Sequence, residues 1–140
     1  MFKHFLLPVD GSPLSDSTFQ KVITFAQETD ARMTVLHCGS RAFPVGAPAP
    51  IKDRLAQDAQ HHADRYLKGV VRKASAAGIK CETAYVNSDR IVKVIMATAE
   101  ERGCDLILIA PHGRWGVQPH TIESLRESIL SVSDISLVVV

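Results

Sequence analysis

Cysteine is scarce in this chain, with only Cys38, Cys81 and Cys104 among 140 residues. They are odd in number and widely spaced, and none forms a Cys-x-x-Cys pair. That excludes a disulfide framework and a zinc knuckle, and leaves a reducing cytoplasm as the simplest home. Long apolar runs are missing as well; none approaches the ~20 residues of a membrane-spanning helix. The amino-terminal "MFKHFLLPVDGS" is interrupted by Asp10 and has no small-residue cleavage site after it, so it reads as a first strand and not as a signal peptide. Charge of one sign is lacking: sixteen Lys and Arg stand against fifteen Asp and Glu, with no basic cluster. A nucleic-acid or anionic-membrane partner therefore has no electrostatic support. Neither Gly-x-Gly-x-x-Gly nor Gly-x-x-x-x-Gly-Lys-Ser/Thr occurs, which disfavours a dinucleotide fold and a P-loop enzyme. No serine–histidine–acid arrangement can be read from spacing. His61 and His62 are adjacent, so on a helix they point about 100° apart and chelate poorly. With His112 and His120 they give no case for a metal.

What is present is alternation. Short apolar runs at His4 to Asp10, Met33 to Cys38, Ile79 to Val86, Cys104 to Ala110 and Ile135 to Val140 read as five buried strands. Between them the apolar residues recur at helical spacing. The first helix carries Phe19, Val22, Ile23 and Ala26, and Ser12 followed by Pro13 is its start signal. A long helix over Asp53 to Ala77 is stopped by Gly78. Asp89 is expected to cap a third helix bearing Ile91, Val94, Ile95 and Ala99, and a fourth carries Ile122, Leu125 and Ile129. The Gly- and Pro-rich stretch Gly39 to Pro50 has no period and reads as an excursion loop. Strands apolar on both faces, alternating with helices, predict one α/β domain: a parallel sheet with helices on both sides.

In such a sheet the ligand crevice opens where strand order reverses, at the carboxyl ends of the strands. If the first strand is central, Pro8, Val9 and Asp10 line the crevice on one side and the segment from Ala110 to Gly113 on the other. A carboxylate at Asp10 suits ribose hydroxyls or an amine. The start of the last helix, near Ser124, would offer backbone N–H groups and a positive dipole end to an anion. Asp10 has a rival reading as a turn residue before Gly11, and Ser124 as a helix cap. His37, inside an apolar strand, is expected to be a hydrogen-bonded core residue. The cysteines read as small buried hydrophobes. Trp115 is assigned to an exposed loop or an interface.

The segments "FLLPVDGSPLS", "TVLHC", "CDLILIAPHGRWG" and "ESLRESILSVSDISLVVV" together resemble the universal stress protein family, in the expected order and over nearly the whole chain. The resemblance implies a Rossmann-like domain with strand order 3-2-1-4-5, commonly a homodimer, that accumulates under stress. Some members bind ATP or AMP and others do not. The ATP-binding branch carries Gly-x-x-Gly, nine residues, then Gly-Ser/Thr. Here Gly113 and Ser124 keep two positions, while Ala110 and Glu123 replace the first glycine and the glycine before the serine. Asp10 matches the family's ribose-side aspartate, and Met33 falls near the position of the second strand whose backbone contacts adenine.

Glu123 is the weightier departure. It adds bulk and negative charge beside a triphosphate; two unit charges ~4 Å apart at an effective dielectric of ~20 repel by roughly 4 kcal/mol. Arg114 would offset part of that, and Leu125 completes the segment. The expectation is a cytoplasmic, non-enzymatic stress-response protein with a weakened site for ATP or AMP and no metal of its own. A true ATP- or AMP-binding switch is the alternative, and an ATP-hydrolysing or adenylyl-transferring enzyme a lower one. The apolar Ile135 to Val140 invites pairing with a second copy, so a homodimer through this strand is expected, with neither nucleic acid nor membrane as partner.

Overall fold

β1 (His4–Val9) is buried along its whole length, as its unbroken apolar text requires of a central parallel strand. The computed structural model describes residues 2–11, 14, 16–39, 45–109, 119–131 and 134–140. After β1 come α1 (Asp16–Thr29), β2 (Arg32–Gly39), α2 (Ala49–Ala76), β3 (Cys81–Asn87), α3 (Ile91–Glu101), β4 (Leu106–Ile109), α4 (Pro119–Leu130) and β5 (Ser136–Val139). The sheet is parallel throughout, in the order β3-β2-β1-β4-β5.

Alternation along each strand divides the core in two. Phe5, Leu7, Val9, Met33, Val35, Leu106 and Leu108 face α1 and α2, meeting Val22, Ile23, Ala26, Ala63, Leu67, Val70 and Ala74. Leu6, Leu36, Ile107 and Ile109 face the other way, onto Ile95, Ala99 and Leu125 of α3 and α4. This is the two-sided covering that the apolar strands predict.

The amino edge of the sheet is polar and satisfied. Asp105 accepts the backbone N–H groups of Lys3 (2.8 Å) and His4 (3.2 Å). Arg32 lies 3.3 Å from His4 Nδ1, and an arginine only donates, so Nδ1 accepts and Nε2–H donates to Thr34 Oγ1 at 2.6 Å. The buried imidazole is thus held as one neutral tautomer. Burial first, then the Arg32 charge, lowers its pKa.

α1 is described from Asp16; its expected start signal, Ser12–Pro13, lies outside the described residues. Two helix starts differ from expectation. α2 begins at Ala49, with Pro48 at its N-cap, so the Pro-rich stretch from Pro48 on is helix start and not loop. At α3 the N-cap position falls on Arg90, whose backbone N–H reaches Ser88 Oγ at 3.1 Å; Asp89 lies one position too early to cap.

Candidate functional site

The crevice begins with a proline in a central strand. Pro8 has no backbone N–H to give a ladder. β1 pairs with β2 from His4 to Val9 and, among the described residues, with β4 at Phe5↔Leu106 and Leu6↔Ile107. Strand order reverses between β1 and β4. Asp10 follows directly, with its Oδ2 atom buried. Gly11 then turns the chain at φ +88°, a conformation that L side chains rarely adopt.

A cavity of about 500 Å³ lies beside Asp10, within the range of small-molecule sites. His37, Cys38 and Gly39 at the end of β2 line it, with Tyr85 of β3 and His62 of α2. Ser88, Asp89 and Ile91, around the start of α3, close the far side. The sequence folds this way because a β2 ending in Gly39 lets Tyr85 come close: a Cβ on Gly39 would stand 2.8 Å from the Tyr85 hydroxyl.

His37 is the unusual member. It is 5% exposed, and neither ring nitrogen has a hydrogen-bond partner among the described residues. The expectation of a hydrogen-bonded core histidine is corrected here; the bonded one is His4. Tyr66 and Tyr85 meet the ring edge-on, at 5.9 and 5.1 Å between centroids. The Tyr66 hydroxyl is likewise buried without a partner among the described residues. Orphaned buried groups cost about 1–3 kcal/mol each, which makes this cluster a place where stability is given up. Burial foremost, then the neighbouring His62, pushes the His37 pKa down, while Asp10 pulls it up. Burial, with Asp10 adding to it, pushes Tyr66 up to about 12.

Burial disfavours the thiolate form of all three cysteines. Burial pushes Cys38, on the cavity wall, up to about 12, and Cys81 and Cys104 up to about 11. Among the described residues no group of three His, Cys, Asp or Glu side chains is placed to hold a metal ion.

The sequence-level candidates fall in different places. Pro8 and Val9 are buried in β1 just below Asp10. Met33 is fully buried near the opposite end of β2, paired with Phe5 and Cys81. It lies five residues from Cys38, roughly 16 Å along a strand. Ala110, Gly113 and Arg114 lie outside the described residues, as does Trp115. Leu125 is fully buried in the core under α3 and α4.

Glu123 and Ser124 are not at a helix start. α4 begins at Pro119, so both sit in its second turn, where backbone N–H groups are spent on the helix itself. Neither capping nor anion binding by those N–H groups is open to Ser124. It lines a different groove of about 650 Å³ between α3 and α4, with Ser128, Ser131 and Met96. Among the described residues that groove shares Asp89 and Ile91 with the Asp10 cavity. The Glu123 side chain is 61% exposed and 3.2 Å from Arg126, a solvated pair worth little.

Sequence reasoning missed His62, Tyr85, Gly39 and Ser88 as cavity residues. They come from three separate segments, and no local spacing marks them. Pro8 was the one available signal, since a proline in a buried central strand marks a break in pairing.

Comparison with known proteins agrees with the architecture. Universal stress protein YxiE of Bacillus subtilis is 24% identical over 148 residues, covering 100% of this chain and 99% of the relative. A universal stress protein family member from Burkholderia pseudomallei superposes with a TM-score of 0.72 at 16% identity, covering 99% of this chain and 96% of that one. A family member from Arabidopsis thaliana, with AMP bound, superposes with a TM-score of 0.62 at 13% identity, covering 99% and 90%. The universal stress protein family pattern matches residues 1–140, and the chain belongs to that family.

Proposed function

We propose that this protein is a cytoplasmic stress-response regulator without chemical turnover. It takes up an adenine nucleotide by its nucleoside end and holds the polyphosphate weakly. The observation that carries this reading is the division of the crevice. Asp10 and the cavity of about 500 Å³ remain at the sheet's switch point. Glu123 and Ser124, the carboxyl-terminal part of the Ala110 to Leu125 segment expected to cradle phosphate, are absorbed into the second turn of α4. The Arabidopsis relative binds a monophosphate, AMP, which suits a site that reads the nucleoside. The thiols, pushed up to about 11–12, support a non-enzymatic role, as they offer no ready nucleophile. No helix among the described residues is long and apolar enough to cross a membrane.

Isothermal titration with adenosine, AMP and Mg-ATP tests this. Each charge-assisted bond to phosphate is worth about 1.5–3 kcal/mol, roughly tenfold to a hundredfold in affinity. On this reading the three ligands are expected to bind within about tenfold of one another. ATP binding a hundredfold or more tighter than adenosine would show a working phosphate site, and no binding by any of the three would remove the nucleotide reading.

The same proposal includes a homodimer through residues 135–140. β5 pairs only with β4 and stands at the sheet edge. Val139 is 52% exposed and the nearby chain carries Leu130 at 87%. An apolar edge strand of this kind favours pairing with a second copy. Light scattering at micromolar concentration is expected to give twice the 15.3 kDa chain mass, and Val139→Lys to shift it toward one. A one-chain mass for the wild type removes the dimer.

A further inference from the structure

We infer that binding at the Asp10 crevice is proton-linked through His37, a positioning residue under the Asp10–Gly11 turn that draws the Asp10 carboxylate away from the ligand when it becomes charged. The inference rests on the nucleoside reading above, in which Asp10 accepts ligand hydroxyls.

Register brings the groups together. Val9 and His37 are Cα partners across β1 and β2, and the Asp10–Gly11 turn continues the chain directly after Val9. The contact is close: a Cβ on Gly11 would lie 2.5 Å from His37 Nε2 and 3.3 and 3.4 Å from the ring carbons. Both residues line one cavity. The imidazole is nineteen-twentieths buried and neither nitrogen has a partner among the described residues. A neutral ring can stay so. A charged ring, with two N–H donors at a buried site, is stabilised by an acceptor, and Asp10 is the anion of the adjoining turn.

Among the described residues, the other groups facing His37 do not supply that acceptor. From α2 come His62, which opposes the charge, and Tyr66, whose hydroxyl is a weak acceptor. From β3 comes Tyr85, with its hydroxyl over Gly39. Across the cavity, Asp89 lies beyond Ser88 at the start of α3. Asp10 is the carboxylate whose charge is felt at the ring.

The sign follows. In the free protein burial lowers the His37 pKa and so favours the neutral ring. A ligand that engages Asp10 and fills the cavity disfavours the charged ring further, so binding releases a proton. Affinity is flat at high pH and falls once the pH drops below the free-protein value, by up to about tenfold per pH unit for one linked proton.

The test is the affinity for adenosine between pH 8 and pH 5, in wild type, His37→Gln and His62→Gln, with His37 followed by NMR in the ligand-free protein. Wild type is expected to lose affinity on acidification, His37→Gln to have a flat profile, and His62→Gln to keep a slope. A slope kept in His37→Gln and lost in His62→Gln overturns the assignment. His37→Gln is a buried change, so Asp10→Asn gives a second reading: with the carboxylate gone, the His37 titration in the ligand-free protein is expected to move to lower pH. An unmoved titration means that the two groups are not coupled and the proposal fails. Absence of adenosine binding at every pH removes the nucleoside reading and the ligand linkage with it, whereas the ligand-free titration still decides the coupling.

Discussion

Gly11→Val is expected to destabilise the protein by about 3 kcal/mol, with two separable causes. The first is backbone: φ is +88°, where a side chain costs about 1–2 kcal/mol. The second is collision, since the new Cβ would stand 2.5 Å from His37 Nε2. Overpacking of this kind costs about 1–3 kcal/mol. With a urea m-value of about 2 kcal/mol/M the midpoint should fall by about 1.5 M. Gly78→Ala is the control, because Gly78 has a similar φ of +78° and nothing within 4 Å of its Cβ position. Gly11→Ala should cost more than Gly78→Ala, and the excess should shrink in a His37→Ala background. Equal costs at the two glycines, or an excess indifferent to the ring, would mean that Gly11 does not rest on His37. The physical link between the turn and the ring would then be lost.

Much of this fold was readable because the strands are buried on both faces. "HFLLPV" and "LILI" have no other reading once their length rules out a long helix, and all five strands stand within two residues of expectation. Proline was harder, since the same residue starts a helix or breaks one. Pro48 and Pro50 suggested a loop, yet they open α2. Pro119 went unread and opens α4, which moves Glu123 and Ser124 from a helix end into its body. A propensity to occupy the first turn cannot by itself say which turn is first. The site was readable in proportion to its locality. Asp10 announces itself between a strand and a glycine. The His37 cluster does not, because His37, His62, Tyr66 and Tyr85 meet only when β2, α2 and β3 are packed.

Met33→Ala is expected to cost about 2–5 kcal/mol and to leave nucleoside affinity within about twofold of wild type. The side chain is fully buried among Phe5, Val35 and Ile79, in the core under α1 and α2. Truncation there loses transfer energy and leaves a void that close-packed neighbours fill only in part. For a domain of this size the melting temperature should fall by roughly 10 °C. The cavity beside Asp10 is walled by the other end of the same strand, at His37, Cys38 and Gly39. Resemblance alone places Met33 near adenine. The register, Phe5↔Met33 at one end of β2 and Val9↔His37 at the other, puts it in the core. The two placements give opposite results in one variant. A lower melting temperature with unchanged affinity is the signature of a core residue. Unchanged stability with lost affinity would carry the binding surface to the amino end of β2, and the cavity beside Asp10 would no longer be the site.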